Sequence, residues 1–170
     1  TQITMEAAED PEFLDAMRGA RIKGALVGVE SITPDGLKEV YKGFNATGDA
    51  LVARLRTFRA HDIHVLGSFI FGLPSDRPPT FAATAALASK ADVTFAQFVM
   101  LTPFPGTVDF EKWAKGVDAE AKNVDGIPYS RHWLIPRARR PHVYTHHPVM
   151  SADEIGMHTQ RTWDQFYSIS

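Results

Sequence analysis

A carboxylate and a hydroxyl stand side by side where a short apolar run ends. Residues 25–29 are ALVGV, and Glu30 and Ser31 follow directly. A run of this length is typical of a strand buried on both faces. A carboxylate at its end can accept two hydroxyl donors or pair with an ammonium group. The alternative is structural: Glu30 caps the next helix or pairs with Lys38, and Ser31 helps to turn the chain.

A helix is predicted to begin immediately after this pair. Thr33 can cap the free backbone N–H groups, Pro34 suits the first helical position, and Asp35 favours the positive end of the helix dipole. The polar pair therefore lies where a buried strand ends and a helix begins. In parallel α/β folds, ligands bind at that edge of the sheet.

The rest of the chain alternates between strand and helix patterns. Strands are predicted to start at about residues 3, 25, 64 and 94, with helical segments between them. This βαβαβαβ order predicts four parallel strands with crossover helices. From residue 111 to 150 the pattern dissolves, which predicts an irregular extension. A closing helix is predicted from Ser151, with Glu154 completing a capping box.

Composition excludes several functional classes. The chain has 170 residues, a net charge of −2 and 44% hydrophobic residues, so nothing favours binding to nucleic acid or a membrane surface. No apolar run approaches the roughly 18 residues of a membrane span, and the first residues do not show the basic-then-apolar pattern expected of a signal peptide. A cytoplasmic domain is the expectation. Because there is no cysteine, this chain forms no disulfide and supplies no thiolate to an iron–sulfur cluster.

Histidines and arginines cluster between residues 137 and 147. The spacing of His142, His146 and His147 is not that of a compact zinc site, so no metal site is predicted. The cluster of Arg137, Arg139 and Arg140 is expected to lie in a solvated loop; the alternative is that it meets an acidic substrate or a neighbouring domain.

Four segments together resemble the radical S-adenosylmethionine (SAM) enzymes, in the family's order. They are ITMEA at 3–7, ALVGVES at 25–31, HVLGSFIFGLP at 64–74 and TFAQFVMLTPFPGT at 94–107. The sequence KGFN at 42–45 is similar to the cobalamin-dependent branch. The resemblance implies an α/β fold that is a fragment of a (βα)6 partial TIM barrel, with these segments as strands three to six. It divides the chain into a barrel portion, 1–112, and an irregular extension with a C-terminal helix, 113–170.

The resemblance also implies cofactors. In the family, SAM lies across the carboxyl ends of the strands, and a 4Fe-4S cluster held by three cysteines cleaves it to a 5′-deoxyadenosyl radical. The expected cofactors are SAM and a 4Fe-4S cluster whose ligands lie outside this chain. Cobalamin is a further candidate cofactor, which a domain outside this chain would bind.

Site residues follow from the matched positions. Glu30 would contact the ribose or the amino group of SAM. The other cofactor-binding positions implied by the resemblance are Ser31, Gly67, Ser68, Phe69, Leu101 and Pro103. Lys42 and Asn45 would either face the active site or form a solvated helix end.

The missing cysteines limit what this chain can do. They and the second strand are expected before residue 1, in an N-terminal part of the same protein that would be its partner. Without three thiolates no electron reaches SAM, so this chain alone is expected to be inactive. Its first strand would expose an edge, which predicts self-association through that edge.

Two other functions remain open from the sequence. One is a complete small α/β module that binds a nucleotide or another ligand without catalysis, which predicts a closed sheet. The other is a fragment of a metal-dependent hydrolase. That reading requires several carboxylates and histidines at strand ends, and only Glu30 qualifies, so we rank it last.

Overall fold

Four parallel strands form the single main sheet. We describe residues 1–168 from a computed structural model. The strands are β1 (Gln2–Ile3), β2 (Gly24–Glu30), β3 (His64–Phe71) and β4 (Phe95–Met100), and they lie side by side in that order. All three pairings are parallel. The predicted strand order and parallel crossovers are therefore confirmed.

Helices connect the strands as the sequence predicted. They are α1 (Pro11–Gly19), α2 (Pro34–Glu39), α3 (Gly48–Ala60) and α4 (Pro78–Lys90). The start of α2 follows its local sequence, because the Thr33 side chain accepts a hydrogen bond from the Gly36 backbone N–H (3.1 Å).

The two faces of the sheet differ in burial. Side chains alternate along each strand, and one set packs with the helices into the core, including the fully buried Val27, Val65 and Phe69. The other set is only partly buried, and Phe95 is 56% exposed. The sheet thus has a closed face beneath the helices and an open face.

The extension after β4 contains more regular structure than predicted. It holds a helix α5 (Val108–Ala119), a hairpin of β5 (Asn123–Val124) with β6 (Ile127–Pro128), and a closing helix α6 (Ala152–Tyr167). The expectation of little regular structure from residue 111 was wrong for residues 111–119, which belong to α5; this helix begins at a cap, where Thr107 accepts a hydrogen bond from the Phe110 backbone N–H (3.1 Å). Between residues 120 and 150 the chain forms only the short hairpin and two short 3-10 segments. The division at residue 112 remains a prediction, and α5 runs through that position.

The closing helix is confirmed, including its capping box. Ser151 Oγ accepts from the Glu154 N–H (3.2 Å), and a Glu154 carboxylate oxygen accepts from the Ser151 N–H (2.8 Å). At its other end, the Tyr167 hydroxyl donates to Ala96 O (2.8 Å) and accepts from the Ala96 N–H (3.0 Å). The helix therefore covers the outer edge of β4. No helix within residues 1–168 is long and apolar enough to cross a membrane.

Candidate functional site

Glu30 ends β2 in a backbone conformation that is unfavourable for a non-glycine residue. Its φ is 66°, and the Ser31 N–H donates to Val29 O (2.9 Å) across a tight turn. Six other non-glycine residues within 1–168 have positive φ, and five of them lie just after helices, where this conformation is common. Glu30 ends a strand of the main sheet, whereas the sixth residue, Asp125, lies in the tight turn of the β5–β6 hairpin. Such strain costs on the order of 1–3 kcal/mol and concentrates at functional sites.

The Glu30 carboxylate is held by Lys42. Lys42 Nζ lies 2.8 Å from Glu30 Oε1 and 3.4 Å from Gly28 O. Only 16% of the Glu30 side chain and 29% of the Lys42 side chain are exposed. The pair lies over Gly28, where an added Cβ would be 2.2 Å from Glu30 Oε1 and 2.8 Å from Lys42 Nζ. Gly28 therefore provides the space in which the carboxylate is fixed.

Glu30 neither pairs with Lys38 nor caps the helix that follows it. Lys38 pairs with Asp35 (3.3 Å) rather than with Glu30, and Thr33 is the helix cap. The Ser31 hydroxyl is buried, accepts from the Thr33 N–H (3.2 Å) and lies 3.2 Å from Thr33 Oγ1. Ser31 thus turns the chain, and its assignment as a SAM contact stays a prediction.

A polar row crosses the open face beside Gly28. Gly28, Ser68 and Gln97 occupy matching positions on β2, β3 and β4, and Gln97 Nε2 lies 3.5 Å from Ser68 Oγ. The structure therefore brings Ser68 next to the Gly28 position on which the carboxylate rests.

Gly67 and Phe69 lie on the closed face. Phe69 is fully buried and its ring stacks on that of Phe98 (5.5 Å between centroids). A Cβ at Gly67 would be 3.1 Å from the Phe69 ring and 3.4 Å from Val93. Their side-chain positions thus belong to the core, because strand alternation turns them away from the row of Ser68. Their cofactor-binding assignments remain predictions, and only their backbone can serve a ligand on the open face.

Leu101 and Pro103 lead away from the carboxyl end of β4. The Leu101 N–H donates to Phe71 O (2.7 Å), which extends the pairing of β3 and β4. Pro103 is buried, and its carbonyl oxygen is 3.2 Å from His132 Nε2. His132 thereby ties the extension to this segment, while contacts of Leu101 and Pro103 with a cofactor stay predictions.

Sequence reasoning missed a polar clamp around Leu73, just beyond β3. Asp76 Oδ2 accepts from the Gly72 N–H (2.9 Å) and the Leu73 N–H (3.0 Å). His147 Nε2 lies 3.0 Å from Leu73 O, and His147 Nδ1 accepts from the N–H groups of Val149 and Met150 (3.1 and 2.9 Å). This set of partners makes Nε2 the donor. The only signal in the sequence was an aspartate after a Gly-Leu-Pro turn.

Asp76 carries a large pKa shift. Its side chain is nearly inaccessible, and burial raises its pKa to about 6 against the opposing effect of the two backbone hydrogen bonds. Glu39 also raises the pKa, and Arg77 lowers it. Asp76 is thus a structural carboxylate that titrates near neutral pH.

The remaining candidates do not form a metal centre. Within residues 1–168 no group of three His, Cys, Asp or Glu side chains could hold a metal ion.

Asn45 is buried, its N–H donates to Lys42 O (2.9 Å), and its Nδ2 has no hydrogen-bond partner among the described residues. Arg140 donates to the carbonyls of Trp133 and Ile135, so it braces the extension.

The four parallel strands and their crossover helices are those of a fragment of a partial α/β barrel. A solved structure supports this fold, that of the radical SAM methyltransferase TsrM from Kitasatospora setae with cobalamin and a 4Fe-4S cluster bound. The likeness has a TM-score of 0.56 and 24% identity over 74% of this chain and 24% of that one. No protein-family model matches the chain.

Two curated relatives carry named activities. The chain is 35% identical over 112 residues to the bacteriochlorophyllide d C-12(1)-methyltransferase of Chlorobaculum tepidum, which is 65% of this chain and 24% of the relative. It is 28% identical over 106 residues to the hopanoid C-2 methylase of Rhodopseudomonas palustris, which is 62% of this chain and 20% of the relative. A third relative, an uncharacterised methyltransferase of Pyrococcus horikoshii, is 35% identical over 54% of this chain and 20% of its own length.

These comparisons confirm the resemblance that the sequence motifs indicated. The three curated relatives are methyltransferases or a methylase by name, and the solved structure is that of a radical SAM methyltransferase. The chain spans about a quarter of the length of the first of them and a fifth of the others.

Proposed function

We propose that this chain is the C-terminal part of the core of a radical SAM methyltransferase and that it binds SAM at the carboxyl edge of its sheet. The similarity to radical SAM methyltransferases supports the reaction class. The cluster would be held outside this chain, because the chain has no cysteine. A reduced cluster held beside SAM would supply the electron that splits it into methionine and a 5′-deoxyadenosyl radical. Cobalamin, bound in the TsrM structure, would likewise belong to another part of the protein.

The observation that carries the proposal is the fixed carboxylate of Glu30. Lys42 occupies Oε1 at 2.8 Å, which leaves Oε2 to accept hydrogen bonds from ribose hydroxyls or to pair with an ammonium group. The positive φ of Glu30 turns the carboxylate into the space left by the missing Cβ of Gly28. The carboxylate is therefore in place before a ligand binds. Pre-organisation of this kind reduces the entropy lost on binding. The Ser68–Gln97 row would then line the open face beside the nucleoside.

The chain's own residues would bind and orient SAM, but they would not reduce it. Glu30 and Lys42 cannot donate an electron, so the electron that reduces SAM must come from the cluster. We therefore expect no 5′-deoxyadenosine from this chain alone, even with a chemical reductant.

The first test measures SAM binding to the chain by NMR titration, which detects weak binding. We expect fast-exchange shifts at the ends of β2 and β3, and Glu30→Gln should weaken binding about tenfold or more, since hydrogen bonds to charged groups contribute about 1.5–3 kcal/mol. Asp35→Asn is the matched control, an exposed carboxylate nearby. Unchanged affinity in Glu30→Gln would refute the site. Tight binding by the bare chain would instead favour a stand-alone nucleotide-binding module.

The second test concerns the reaction. The reading frame upstream of this sequence should encode three cysteines spaced CxxxCxxC. The longer protein, purified without oxygen, should bear a cluster and form 5′-deoxyadenosine from SAM on reduction. A longer protein without that motif would overturn the proposed reaction.

A further inference from the structure

A cleft of about 420 Å³ opens between the extension and the start of α6. Its floor is apolar and includes the fully buried Ile155, whose side chain lies 3.8 Å from the Cβ position of Gly72. His147, which also lines it, is 3.0 Å from Leu73 O. The cleft therefore lies just beyond the carboxyl end of β3, and its volume falls within the range of small-molecule sites, roughly 300–1,000 Å³.

Aromatic side chains form part of the wall. Tyr129 and Tyr144 line the cleft. The Tyr144 ring packs against the His132 ring, with 4.4 Å between the ring centroids. The backbone carbonyl of Tyr144 also accepts a hydrogen bond from Trp113 Nε1 (3.1 Å). A rigid aromatic wall above an apolar floor suits a flat ring.

The polar groups of the cleft favour an anion. Lys122 and His146 line it, and none of the lining residues in the described part of the chain is acidic. Lys122 also pairs with Glu120 (2.6 Å), but both side chains are about half exposed or more (49% and 61%), and such surface pairs contribute little. A ligand anion can therefore share this lysine.

One polar atom in the cleft has no partner. Thr145 Oγ1 is buried and makes no hydrogen bond to any of residues 1–168. Buried hydroxyls are normally hydrogen-bonded, and Thr145 lines the cleft, so rotation of its side chain towards a polar ligand would give Oγ1 the partner that it lacks. The unpartnered hydroxyl therefore favours a ligand with a polar group near Thr145.

We propose that the cleft binds a flat, conjugated ring that carries an anionic group. The ring packs between the tyrosines and the apolar floor, and the anionic group meets Lys122 and the Thr145 hydroxyl. Binding does not require SAM; only the further role of this ligand as the methyl acceptor rests on the proposed function.

The test uses 2-naphthoate as the probe and measures its fluorescence anisotropy with the 170-residue chain, without SAM. Saturable binding is expected. The neutral 2-naphthalenemethanol, and the non-fluorescent cyclohexanecarboxylate measured by its displacement of naphthoate, should each bind at least about fivefold more weakly. The first compound tests the anionic group and the second tests the flat ring. Lys122→Gln and Thr145→Val should each weaken naphthoate binding about fivefold.

Controls separate this site from other effects. Lys115→Gln, an exposed lysine of α5 outside the cleft, should leave the affinity unchanged. Glu30→Gln should also leave it unchanged, which distinguishes this cleft from the SAM site. Circular dichroism checks that Thr145→Val folds. Absence of saturable binding, equal affinity for the neutral alcohol, or unchanged affinity in both cleft variants would each overturn the proposal.

Discussion

Replacing Gly28 with alanine should move the Glu30 carboxylate without unfolding the protein. The new Cβ would lie 2.2 Å from Glu30 Oε1 and 2.8 Å from Lys42 Nζ. Both contacts are with the far ends of flexible side chains, so the pair can swing aside at low cost. The backbone around residue 28 has no reason to move.

The expected stability change is small because two effects oppose each other. Breaking a partly exposed ion pair costs up to about 1 kcal/mol. Alanine in a strand is favoured over glycine by roughly 0.5–1 kcal/mol. The free energy of unfolding in urea should therefore stay within about 1 kcal/mol of the wild type.

Ligand affinity should fall far more than stability. A charge-assisted hydrogen bond contributes about 1.5–3 kcal/mol, and each 1.4 kcal/mol corresponds to a factor of ten. SAM or S-adenosylhomocysteine, titrated by NMR, should bind about 10- to 100-fold more weakly to Gly28→Ala.

The matched control is Gly24→Ala, which lies on the same strand and the same face. Its Cβ would meet only His64 O at an ordinary 3.7 Å, so affinity should be unchanged. Equal binding by Gly28→Ala and the wild type would refute the claim that a carboxylate fixed above residue 28 holds the ligand. Equal losses in both variants would assign the effect to the strand rather than to the pair.

Three further predictions concern stability and assembly. The carboxyl of Asp76 has a pKa of about 6 in the folded protein, above its unfolded value, so its contribution to stability is lost as pH rises towards 6. In urea unfolding, the free energy of unfolding of Asp76→Asn should rise relative to the wild type by about 2 kcal/mol between about pH 4 and pH 7. A difference between the two proteins that does not change with pH would contradict the raised pKa of Asp76. His147→Ala should cost about 2–3 kcal/mol in the free energy of unfolding because it removes two buried hydrogen bonds and a partly buried one. The exposed neighbour His146→Ala should change it by less than about 0.5 kcal/mol. Sedimentation velocity should detect self-association that rises with concentration, and the double variant of Gln2→Lys with Thr4→Lys should suppress it by charging the β1 edge; a wild-type monomer at every concentration would sink that expectation.

The order of the elements could be predicted because its signals are local. An apolar run such as 25–29 or 64–71 indicates a buried strand without reference to the rest of the chain, and a cap such as Ser151 marks its own helix. Helix α5 was missed for the opposite reason. Phe110, Trp113 and Val117 have helical spacing, but the proline-rich turn before them and the irregular chain after them obscured it.

The faces of β3 could have been assigned from alternation alone. Val65, Gly67 and Phe69 share one parity, and the two large side chains among them pack in the core, so Gly67 must face the same way. Ser68 has the other parity and faces the open side. The family motif marks a whole segment, and only the sheet decides which half of its residues faces the cofactor side.

The partnership of Glu30 and Lys42 could not be read from the sequence, because a bulge creates it. Regular pairing after Gly28 and Ser68 would set Glu30 opposite Ile70, but the register shifts at this point and sets it opposite Phe69. This brings the carboxylate back by one residue along the strand, and the positive φ of Glu30 turns it over Gly28. The carboxylate reaches its position only because the register shifts after Gly28 and because Gly28 has no Cβ in its way. A bulge, a strained dihedral angle and a glycine that converge on one carboxylate therefore support a functional role for Glu30 more strongly than its position at a strand end.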